Sequence, residues 1–448
     1  MEALMTQIVK AYDVRGTVPD QLNSDVCLAL GRAAAVELGG PEIVVARDMR
    51  PSGVELADAF MRGVRMHGVG TVDLGLGSTD LLYYASGSLD LPGVMFTASH
   101  NPAGYNGMKF CRAGAAPVST NTGLLAMRDR AASGALAAPA RRPGSHRTID
   151  DMVGRFAEHV RSFIDVAQMS PLRVAVDAGN GMAGLMVPAV FESLPIDLVP
   201  LYFELDGTFP NHPANPLEPE NLRDLQARVV AEGCDIGLAF DGDADRMFCV
   251  DEQGRAVSPS IVTAMISESL LAADPGATIL FNVICSRIVP ETIERAGGVG
   301  VRTRVGHSFI KEVMAETGAI FGGEHSAHYY FRDNYRADSG LIAAVILLEI
   351  LARSAQPFSA LAAPYDVYAA SGEINSTVPD TDAAMNAVRA DFAAEAEIAD
   401  RDGLLVEADT WWFNLRPSNT EPFLRLNVEA EDPAIMAAVR DRVLSIIR

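Results

Sequence analysis

Apolar and polar residues alternate along this chain in blocks that predict a repeated order of strands and helices. Short apolar runs between turn residues predict strands at residues 43–47, 70–74, 173–177, 196–202, 277–283 and 299–304. Apolar residues at helical spacing predict helices at residues 54–66, 222–231 and 258–271. This order favours α/β domains, in which ligand-binding loops gather at the ends of strands.

One arrangement occurs three times: an apolar strand, a polar loop containing glycine, and a second strand. The three instances lie at residues 92–111, 234–250 and 318–331. Their spacing is too long for a solenoid. We therefore expect three similar domains that each contribute one loop.

The predicted breaks between domains follow composition. Residues 131–147 are rich in Ala, Gly, Pro and Arg and predict a linker, and turns are expected at 251–255 and 369–372. The last segment reads as strand, helix, strand, strand, helix, with a polar loop between its last two strands. These breaks predict domains at 1–147, 148–254, 255–368 and 369–448.

Composition narrows the functional classes. The chain has 448 residues, a formal net charge of −22 and no basic stripe, so no nucleic-acid partner is expected. Neither a signal-peptide pattern nor a membrane-spanning apolar run is apparent, because the run at 341–348 is too short. Five cysteines without Cys-x-x-Cys spacing favour a reducing, cytoplasmic location. We expect a monomer or a homodimer.

The acidic segment Asp241-Gly-Asp243-Ala-Asp245-Arg246 follows a predicted apolar strand. Three carboxylates at alternating positions can converge on one hard cation such as Mg²⁺. A solvated acidic turn is the plainer alternative. An EF-hand is excluded because Arg246 stands where that loop needs glycine and the flanking segments predict strands.

A second polar turn, Thr97-Ala-Ser99-His100-Asn101-Pro102, also follows a predicted strand. A serine at such a turn can be a nucleophile or a phosphoryl carrier, although Ser, Asn and Pro also favour ordinary turns. We expect a structural role for His100.

Lysine occurs only three times in the chain, and Lys109 lies in a glycine-rich segment where it could offset the acidic charge.

Two further loops are polar. Gly323-Glu324-His325-Ser326-Ala327-His328 could hydrogen-bond sugar hydroxyls, but alone it equally suits a polar hairpin. The segment 416–422 could bind a phosphate through Arg416 and neighbouring donors, although a Pro-bounded turn is nearly as plausible.

Together these loops resemble the α-D-phosphohexomutase family over essentially the whole chain. TASHNP at 97–102 is similar to its phosphoserine loop, DGDADR at 241–246 to its metal loop, GEHSAH at 323–328 to its sugar loop and RPSNTEP at 416–422 to its phosphate loop. Residues 12–16 and 206–216 are also family-like. The resemblance implies three similar α/β domains with mixed sheets and a smaller C-terminal α+β domain around a central cleft.

The resemblance also implies roles for individual residues. The implied catalytic residues are Ser99 as the phosphoserine, with Lys109, Arg15, Arg246, His307 and His328. The implied metal ligands are Asp241, Asp243, Asp245 and a phosphoserine oxygen on Ser99. The implied substrate-binding residues are Glu324, Ser326, Arg416, Ser418, Asn419 and Thr420.

This resemblance implies an isomerase that interconverts hexose 1-phosphate and hexose 6-phosphate through a 1,6-bisphosphate. It implies one Mg²⁺ per chain, activation by hexose 1,6-bisphosphate, and hexose phosphates as the small-molecule ligands. GEHSAH is most similar to the phosphomannomutase/phosphoglucomutase branch, but Ile284 stands where some members carry a lysine, so the preferred sugar stays open. A phosphoglucosamine mutase, a metal-dependent sugar phosphatase and a non-catalytic sugar-phosphate binder are the alternatives.

Overall fold

The described residues of the chain form four sheets that follow one another along the sequence. The computed structural model describes residues 2–134, 138–417 and 423–448. For His307 it describes the backbone only. The first three sheets are mixed, as the resemblance implies, and the fourth is antiparallel.

The first sheet has the order β1-β5-β4-β2-β3-β7, with β6 beside β5. Its strands are β1 Asp13–Thr17, β2 Glu42–Arg47, β3 Gly70–Leu76, β4 Gly93–Phe96, β5 Tyr105–Arg112, β6 Ala116–Pro117 and β7 His146–Thr148. The helices of this part are α1 Glu2–Ile8, α2 Ser24–Glu37, α3 Gly53–Arg65, α4 Thr79–Leu89 and α5 Leu125–Ser133.

The second sheet has the order β12-β11-β10-β8-β9 and the third the order β14-β13-β15-β16. The second part contains α6 Met152–Arg161, β8 Leu172–Asp177, α7 Ala183–Phe191, β9 Ile196–Leu201, α8 Arg223–Glu232, β10 Ile236–Phe240, β11 Met247–Asp251 and β12 Ala256–Val257. The third contains α9 Pro259–Ala273, β13 Thr278–Asn282, α10 Ile288–Arg295, β14 Val299–Thr303, α11 His307–Thr317, β15 Phe321–Gly323, β16 Tyr329–Phe331, α12 Gly340–Ala352 and α13 Phe358–Ala362.

The three mixed sheets place their polar loops at equivalent points. In each, a central strand pairs in parallel with two neighbours, and one neighbour turns back into an antiparallel partner. The loops are the connections β4–β5, β10–β11 and β15–β16. The strand–loop–strand pattern therefore identifies three corresponding loops.

Burial on both faces explains why the central strands are apolar throughout. In β2, Ile43 and Val45 belong to the cluster formed with α2 and α3, whereas Val44 and Ala46 belong to the cluster that includes α4. Parallel strands covered on both faces lack the alternation of half-exposed strands. This is the source of the short apolar runs that mark strands in the sequence.

Side-chain caps define where several helices begin. Ser78 accepts a hydrogen bond from Leu81 N before α4, and Ser339 accepts one from Ile342 N before α12. Ser258 caps α9 immediately before Pro259, which suits the first helical position because it lacks an N–H. Serine side chains thus determine where α4, α9 and α12 begin.

The fourth part is an antiparallel sheet of order β17-β21-β20-β19-β18 packed against two helices. Its elements are β17 Ala369–Thr377, α14 Thr381–Phe392, β18 Glu397–Asp400, β19 Leu404–Glu407, β20 Trp411–Pro417, β21 Phe423–Ala430 and α15 Pro433–Ile447. In the described residues, four strands lie between α14 and α15, whereas the sequence predicted two. That prediction missed the tight turns at residues 401–403 and 408–410.

The apolar cores divide the molecule unequally. One cluster of buried side chains runs continuously from Val44 to Ala362 and joins the first three parts. The fourth part has its own cluster, from Val378 to Ile447. Polar contacts join the third and fourth parts: Arg302 pairs with both carboxylate oxygens of Glu407, and Val305 N donates to Asp402 Oδ2 at 3.0 Å.

Two sequence expectations about connections change in the structure. The predicted linker at 131–147 overlaps the end of α5 and the start of β7, and residues 135–137 lie outside the described residues. Because β7 pairs in parallel with β3, the expected boundary at 147 falls inside a strand of the first sheet.

The apolar run at 341–348 lies within the buried helix α12. Among the helices that the structure describes, none combines the length and the hydrophobicity of a membrane-spanning helix.

Candidate active site

Ser99 lies in the β4–β5 loop, and its side chain points toward the second sheet. Its Oγ donates a hydrogen bond to Asp241 Oδ2 at 2.7 Å, and Arg246 Nη2 lies 3.4 Å from the same Oγ. Ser99 is buried and adopts a positive φ of 49°, which non-glycine residues rarely adopt. A serine hydroxyl is therefore held between a carboxylate and a guanidinium from another domain.

The β10–β11 loop gathers its three aspartates at one point. Carboxylate oxygens of Asp241, Asp243 and Asp245 lie within 4.8 Å of one another, and all three side chains are buried. Among the described residues, Asp243 Oδ1 and Asp245 Oδ1 are buried without a hydrogen-bond partner. Because unpaired buried oxygens are costly, this donor set suits a hard divalent cation such as Mg²⁺.

Two basic side chains offset part of this charge. Lys109 Nζ lies 2.7 Å from Asp243 Oδ2 and 2.6 Å from Asp245 Oδ2, and Arg246 Nη2 lies 2.8 Å from Asp241 Oδ2. Burial favours the neutral carboxyl of Asp243, but Lys109, Thr79 and Arg246 together outweigh burial and lower the pKa of Asp243. For Asp241, burial outweighs Arg246 and raises the pKa.

His100 contacts Ser99 and Arg246 instead of pointing away from them. Its Nδ1 lies 2.5 Å from Arg246 Nη2 and 3.3 Å from Ser99 Oγ. Burial, together with Arg246 and Arg15, lowers the pKa of His100 to about 2. The ring is therefore neutral at physiological pH and accepts from Arg246, a role that sequence adjacency to Ser99 did not reveal.

Arg15 reaches the site because β1 pairs with β5. The register places Asp13 opposite Lys109, and Arg15 donates to Asn101 Oδ1 and to Asp13 Oδ2. Arg15 lines a cavity of about 140 Å³. The other lining residues are Tyr12, Asp13, Tyr83, Ser99, His100, Lys109, Asp245, Arg246, His328 and Asp338.

His328 joins this cavity from the third sheet. It forms an isolated antiparallel bridge with Arg246, and its Nδ1 lies 2.9 Å from Asp338 Oδ2. Burial lowers the pKa of His328, but Asp245 and Asp338 outweigh burial and raise it overall. Lys311 Nζ lies 3.0 Å from Asp338 Oδ1. The imidazole is thus oriented by a carboxylate that Lys311 also contacts.

The two residues expected to bind sugar hydroxyls lie in the same loop as His328. Glu324 is buried and accepts hydrogen bonds from Asn282 Nδ2, Gly306 N and Tyr330 Oη at 2.8–3.1 Å. These donors fix its carboxylate. Ser326 lies in the turn after Glu324 and is half-buried.

Arg416 lies near the end of β20, at the start of the expected phosphate loop. It is buried, and its Nη2 lies 3.2 Å from Glu373 Oε2, while Arg425 contacts the other oxygen of Glu373 at 3.1 Å. The carboxylate of Glu373, which both arginines contact, therefore orients the Arg416 guanidinium without any bound ligand. The expected partners Ser418, Asn419 and Thr420 lie outside the described residues, as does the side chain of His307.

Several contacts at the site come from residues that sequence reasoning missed. Thr79 Oγ1 donates to Asp243 Oδ2 at 2.5 Å, and Thr79 N donates to the Asp243 carbonyl at 3.1 Å. Asp338 and Lys311 form the group beside His328. Because lysine is rare in this chain, Lys311 could have been singled out in the sequence for the same reason as Lys109. The contact of Thr79 with another domain leaves no local signal in the sequence.

Arg287, three residues after Ile284, contacts the fourth part of the chain. Its guanidinium donates to the carbonyls of Ala408, Asp409 and Trp411 in the fourth part. It therefore attaches the fourth part to the third.

Comparison with known proteins gives a consistent result along the chain. Four domain models described as phosphoglucomutase/phosphomannomutase match: alpha/beta/alpha domain I at residues 6–130, domain II at 154–254, domain III at 258–368 and the C-terminal domain at 373–446. Together they cover most of the sequence.

Individual relatives extend over nearly the full length. A Xanthomonas campestris protein named "Phosphohexose mutases" is 40% identical, covering 97% of this chain and 98% of its own. A Pseudomonas aeruginosa phosphomannomutase/phosphoglucomutase is 39% identical, covering 96% of this chain and 92% of its own. The crystal structure of a Burkholderia thailandensis phosphoglucomutase/phosphomannomutase family protein is 34% identical, with a TM-score of 0.89, covering 99% of this chain and 97% of its own.

Proposed function

Because this chain belongs to the phosphoglucomutase/phosphomannomutase family and is a hexose phosphate mutase, we propose that it transfers the phosphoryl group through Ser99. Mannose and glucose phosphates are the proposed substrates. Relatives named phosphomannomutase and phosphomannomutase/phosphoglucomutase support this choice of sugars.

One observation carries the proposal: Ser99 Oγ lies 2.7 Å from Asp241 in a buried site that also holds Asp243, Asp245, Lys109 and Arg246. Phosphoryl transfer depends mainly on positioning and on stabilising charge on the moving group. The surroundings of Ser99 offer both requirements: the carboxylate of Asp241 positions the hydroxyl, and the two basic groups can stabilise charge on the moving phosphoryl group. An ordinary polar turn would not need three buried carboxylates.

In the proposed reaction, the bond between phosphorus and Ser99 Oγ breaks as a bond to the sugar hydroxyl oxygen forms. Lys109, Arg15 and Arg246 stabilise the oxygens of the moving group. The neutral form of His328, oriented by Asp338, accepts the proton that leaves the sugar hydroxyl. The second half-reaction returns the other phosphoryl group of the 1,6-bisphosphate to Ser99.

Asp241, Asp243 and Asp245 are the proposed ligands of one Mg²⁺, together with an oxygen of phosphorylated Ser99. When bound, Mg²⁺ would neutralise charge on the serine oxygen as the phosphoryl group leaves. The two partnerless oxygens on Asp243 and Asp245 support this assignment. Hexose 1,6-bisphosphate is the proposed activator, because it can phosphorylate a free Ser99.

Substrate orientation is assigned to the third and fourth parts. Glu324 and Ser326 are proposed to hold sugar hydroxyls away from C2, where mannose and glucose differ. Arg416 is proposed to bind the phosphate that is not being transferred, with His307, Ser418, Asn419 and Thr420 beside the substrate. The five buried, free cysteines support a reducing cytoplasm as the location.

The decisive experiment combines mass spectrometry with substrate conversion. We expect a fraction of the purified protein to carry one phosphate on Ser99. It should convert mannose 1-phosphate to mannose 6-phosphate without releasing inorganic phosphate. Ser99→Ala should carry no phosphate and have no mutase activity.

Three results would contradict parts of the proposal. A fully active Ser99→Ala variant would exclude a phosphoserine carrier. Stoichiometric release of phosphate would indicate hydrolysis. Activity restricted to glucosamine phosphate would refute the proposed sugars while leaving the role of Ser99 intact.

A further inference from the structure

Arg50 is a buried arginine whose side chain contacts the backbone of the Ser99 loop at four points. Its Nη2 donates to the carbonyls of Ser99 at 2.9 Å and Asn101 at 2.6 Å. Its Nη1 donates to the carbonyls of Pro102 and Tyr105, each at 2.8 Å. Only 1% of Arg50 is exposed.

The fifth guanidinium donor of Arg50 is also used. Nε donates to Asp48 Oδ2 at 3.2 Å, and the backbone N–H of Arg50 donates to Asp48 Oδ1 at 3.0 Å. A guanidinium has five N–H groups in a fixed planar arrangement. All five therefore find acceptors, which makes this side chain a rigid support for the loop.

The loop needs such support because Ser99 adopts an unfavourable backbone conformation. Its φ is 49°, and its N–H donates to Thr97 Oγ1 at 2.9 Å. On the other side, a Cβ on Gly242 would lie 2.6 Å from the Ser99 carbonyl oxygen. The Ser99 backbone is thus enclosed between Arg50 and the metal loop, and this conformation points Oγ at Asp241.

We propose that Arg50 is a positioning residue for phosphoryl transfer, and that its bonds to the loop carbonyls hold Ser99 Oγ in line with the sugar. The inference rests on the proposed role of Ser99. Arg50 does not line the cavity that contains Ser99 and Lys109, so it acts through the loop and not on the substrate.

The test compares Arg50→Lys with Arg112→Lys. Lysine keeps the charge but has only three donors, so Arg50→Lys leaves loop carbonyls without partners. Arg112 is the matched control because its guanidinium also donates to carbonyls, those of Glu37, Leu38 and Thr122, away from the site. Both variants would be assayed for kcat, KM for mannose 1-phosphate, phosphate on Ser99 and melting temperature.

A displacement of about 1 Å at a reacting centre costs about 10²-fold in rate. We expect kcat of Arg50→Lys to fall by about that factor with KM within about threefold of wild type. In a single-turnover assay, transfer from phospho-Ser99 to sugar should slow more than hydrolysis by water, because hydrolysis does not require alignment with a bound sugar. Arg112→Lys should change neither kcat nor this ratio.

A kcat of Arg50→Lys within twofold of wild type would overturn the inference. The inference would also be overturned if Arg50→Lys and Arg112→Lys lost kcat equally and in proportion to the fraction of protein that is unfolded. If Arg50→Lys does not fold, Asp48→Asn keeps the guanidinium but weakens its anchor, and should lower the transfer-to-hydrolysis ratio. An inactive Ser99→Ala with a normal Arg50→Lys would refute this inference alone.

Discussion

Lys109 gives the most direct test of the charge balance in the acidic cluster. Its Nζ contacts Asp243 and Asp245, whose side chains are 0% and 1% exposed. Lys109→Met keeps much of the side-chain volume but leaves three buried carboxylates facing Arg246. Removing one partner of a buried ion pair typically costs about 3–5 kcal/mol, because the remaining charge is uncompensated. We expect a loss of this size in magnesium-free buffer.

The expected shift in melting temperature follows from the size of the unit that unfolds. At about 2.1 cal/mol/K of unfolding entropy per residue, a unit of roughly 370 residues loses about 1 °C for every ~0.8 kcal/mol. The continuous core of the first three parts justifies treating them as one unit. The loss therefore corresponds to a decrease of about 4–6 °C by differential scanning calorimetry.

The effect of Lys109 should depend on pH. Because Lys109 lowers the pKa of Asp243, the pair contributes stability that is present above the unfolded pKa of about 3.9. That stability is lost as the pH falls toward the lowered folded pKa. The difference between wild type and Lys109→Met should be full at pH 7 and should shrink below about pH 4.

Lys10→Met is the matched control, because it removes the same side chain from an exposed position. It should change stability by less than about 0.5 kcal/mol. Magnesium should raise the melting temperature of Lys109→Met more than that of wild type, because the cation replaces the missing positive charge. A Lys109→Met melting temperature within about 1 °C of wild type in EDTA would refute this account of the cluster.

Three further predictions concern the rest of the site. Asp243→Asn keeps the shape of the side chain but removes one charge, so calorimetric titration should show weaker Mg²⁺ binding; an unchanged titration would indicate a simple turn. Arg416→Ala should lower kcat/KM about 10- to 150-fold, equally from hexose 1-phosphate and hexose 6-phosphate, if it binds the non-transferring phosphate through bonds worth about 1.5–3 kcal/mol; no loss in either direction would remove Arg416 from the site. His328 has a raised pKa, so its protonated form contributes stability that is full below about pH 6.5 and is lost as pH rises through the folded pKa. Urea denaturation of His328→Gln in magnesium-free buffer should therefore show a smaller stability difference between pH 6 and pH 9 than wild type, and an unchanged difference would contradict the ion pair with Asp338.

The repeated strand–loop–strand pattern allowed the first three sheets to be predicted from sequence. Its strands are apolar because they are buried on both faces, and a polar loop must follow where the backbone turns back. The predicted strand at 43–47 agrees with β2, and the predicted helix at 258–271 agrees with α9. The fourth part was harder because its strands β18 and β19 have only four residues each, and no residue of β18 is fully buried.

Sequence reasoning identified the loops but not the contacts between them. Ser99 and Asp241 stand out locally because each follows a buried strand. Thr79, Asp338 and Arg50 do not, since their roles arise only when distant segments meet. A threonine at the start of a helix, an acidic residue after a strand and an arginine in a turn are common, and only the tertiary structure shows what they contact.

The separate apolar cluster of the fourth part has a consequence for how this enzyme can diversify. Its core residues lie between Val378 and Ile447, and polar contacts of Arg287, Arg302, Arg304 and Val305 link it to the third part. Substitutions that reshape the fourth part therefore need no matching changes in the core that supports Ser99. The proposed phosphate-binding residues of the fourth part and the proposed phosphoryl-transfer residues of the other parts could therefore be changed separately, by evolution or by exchange between relatives.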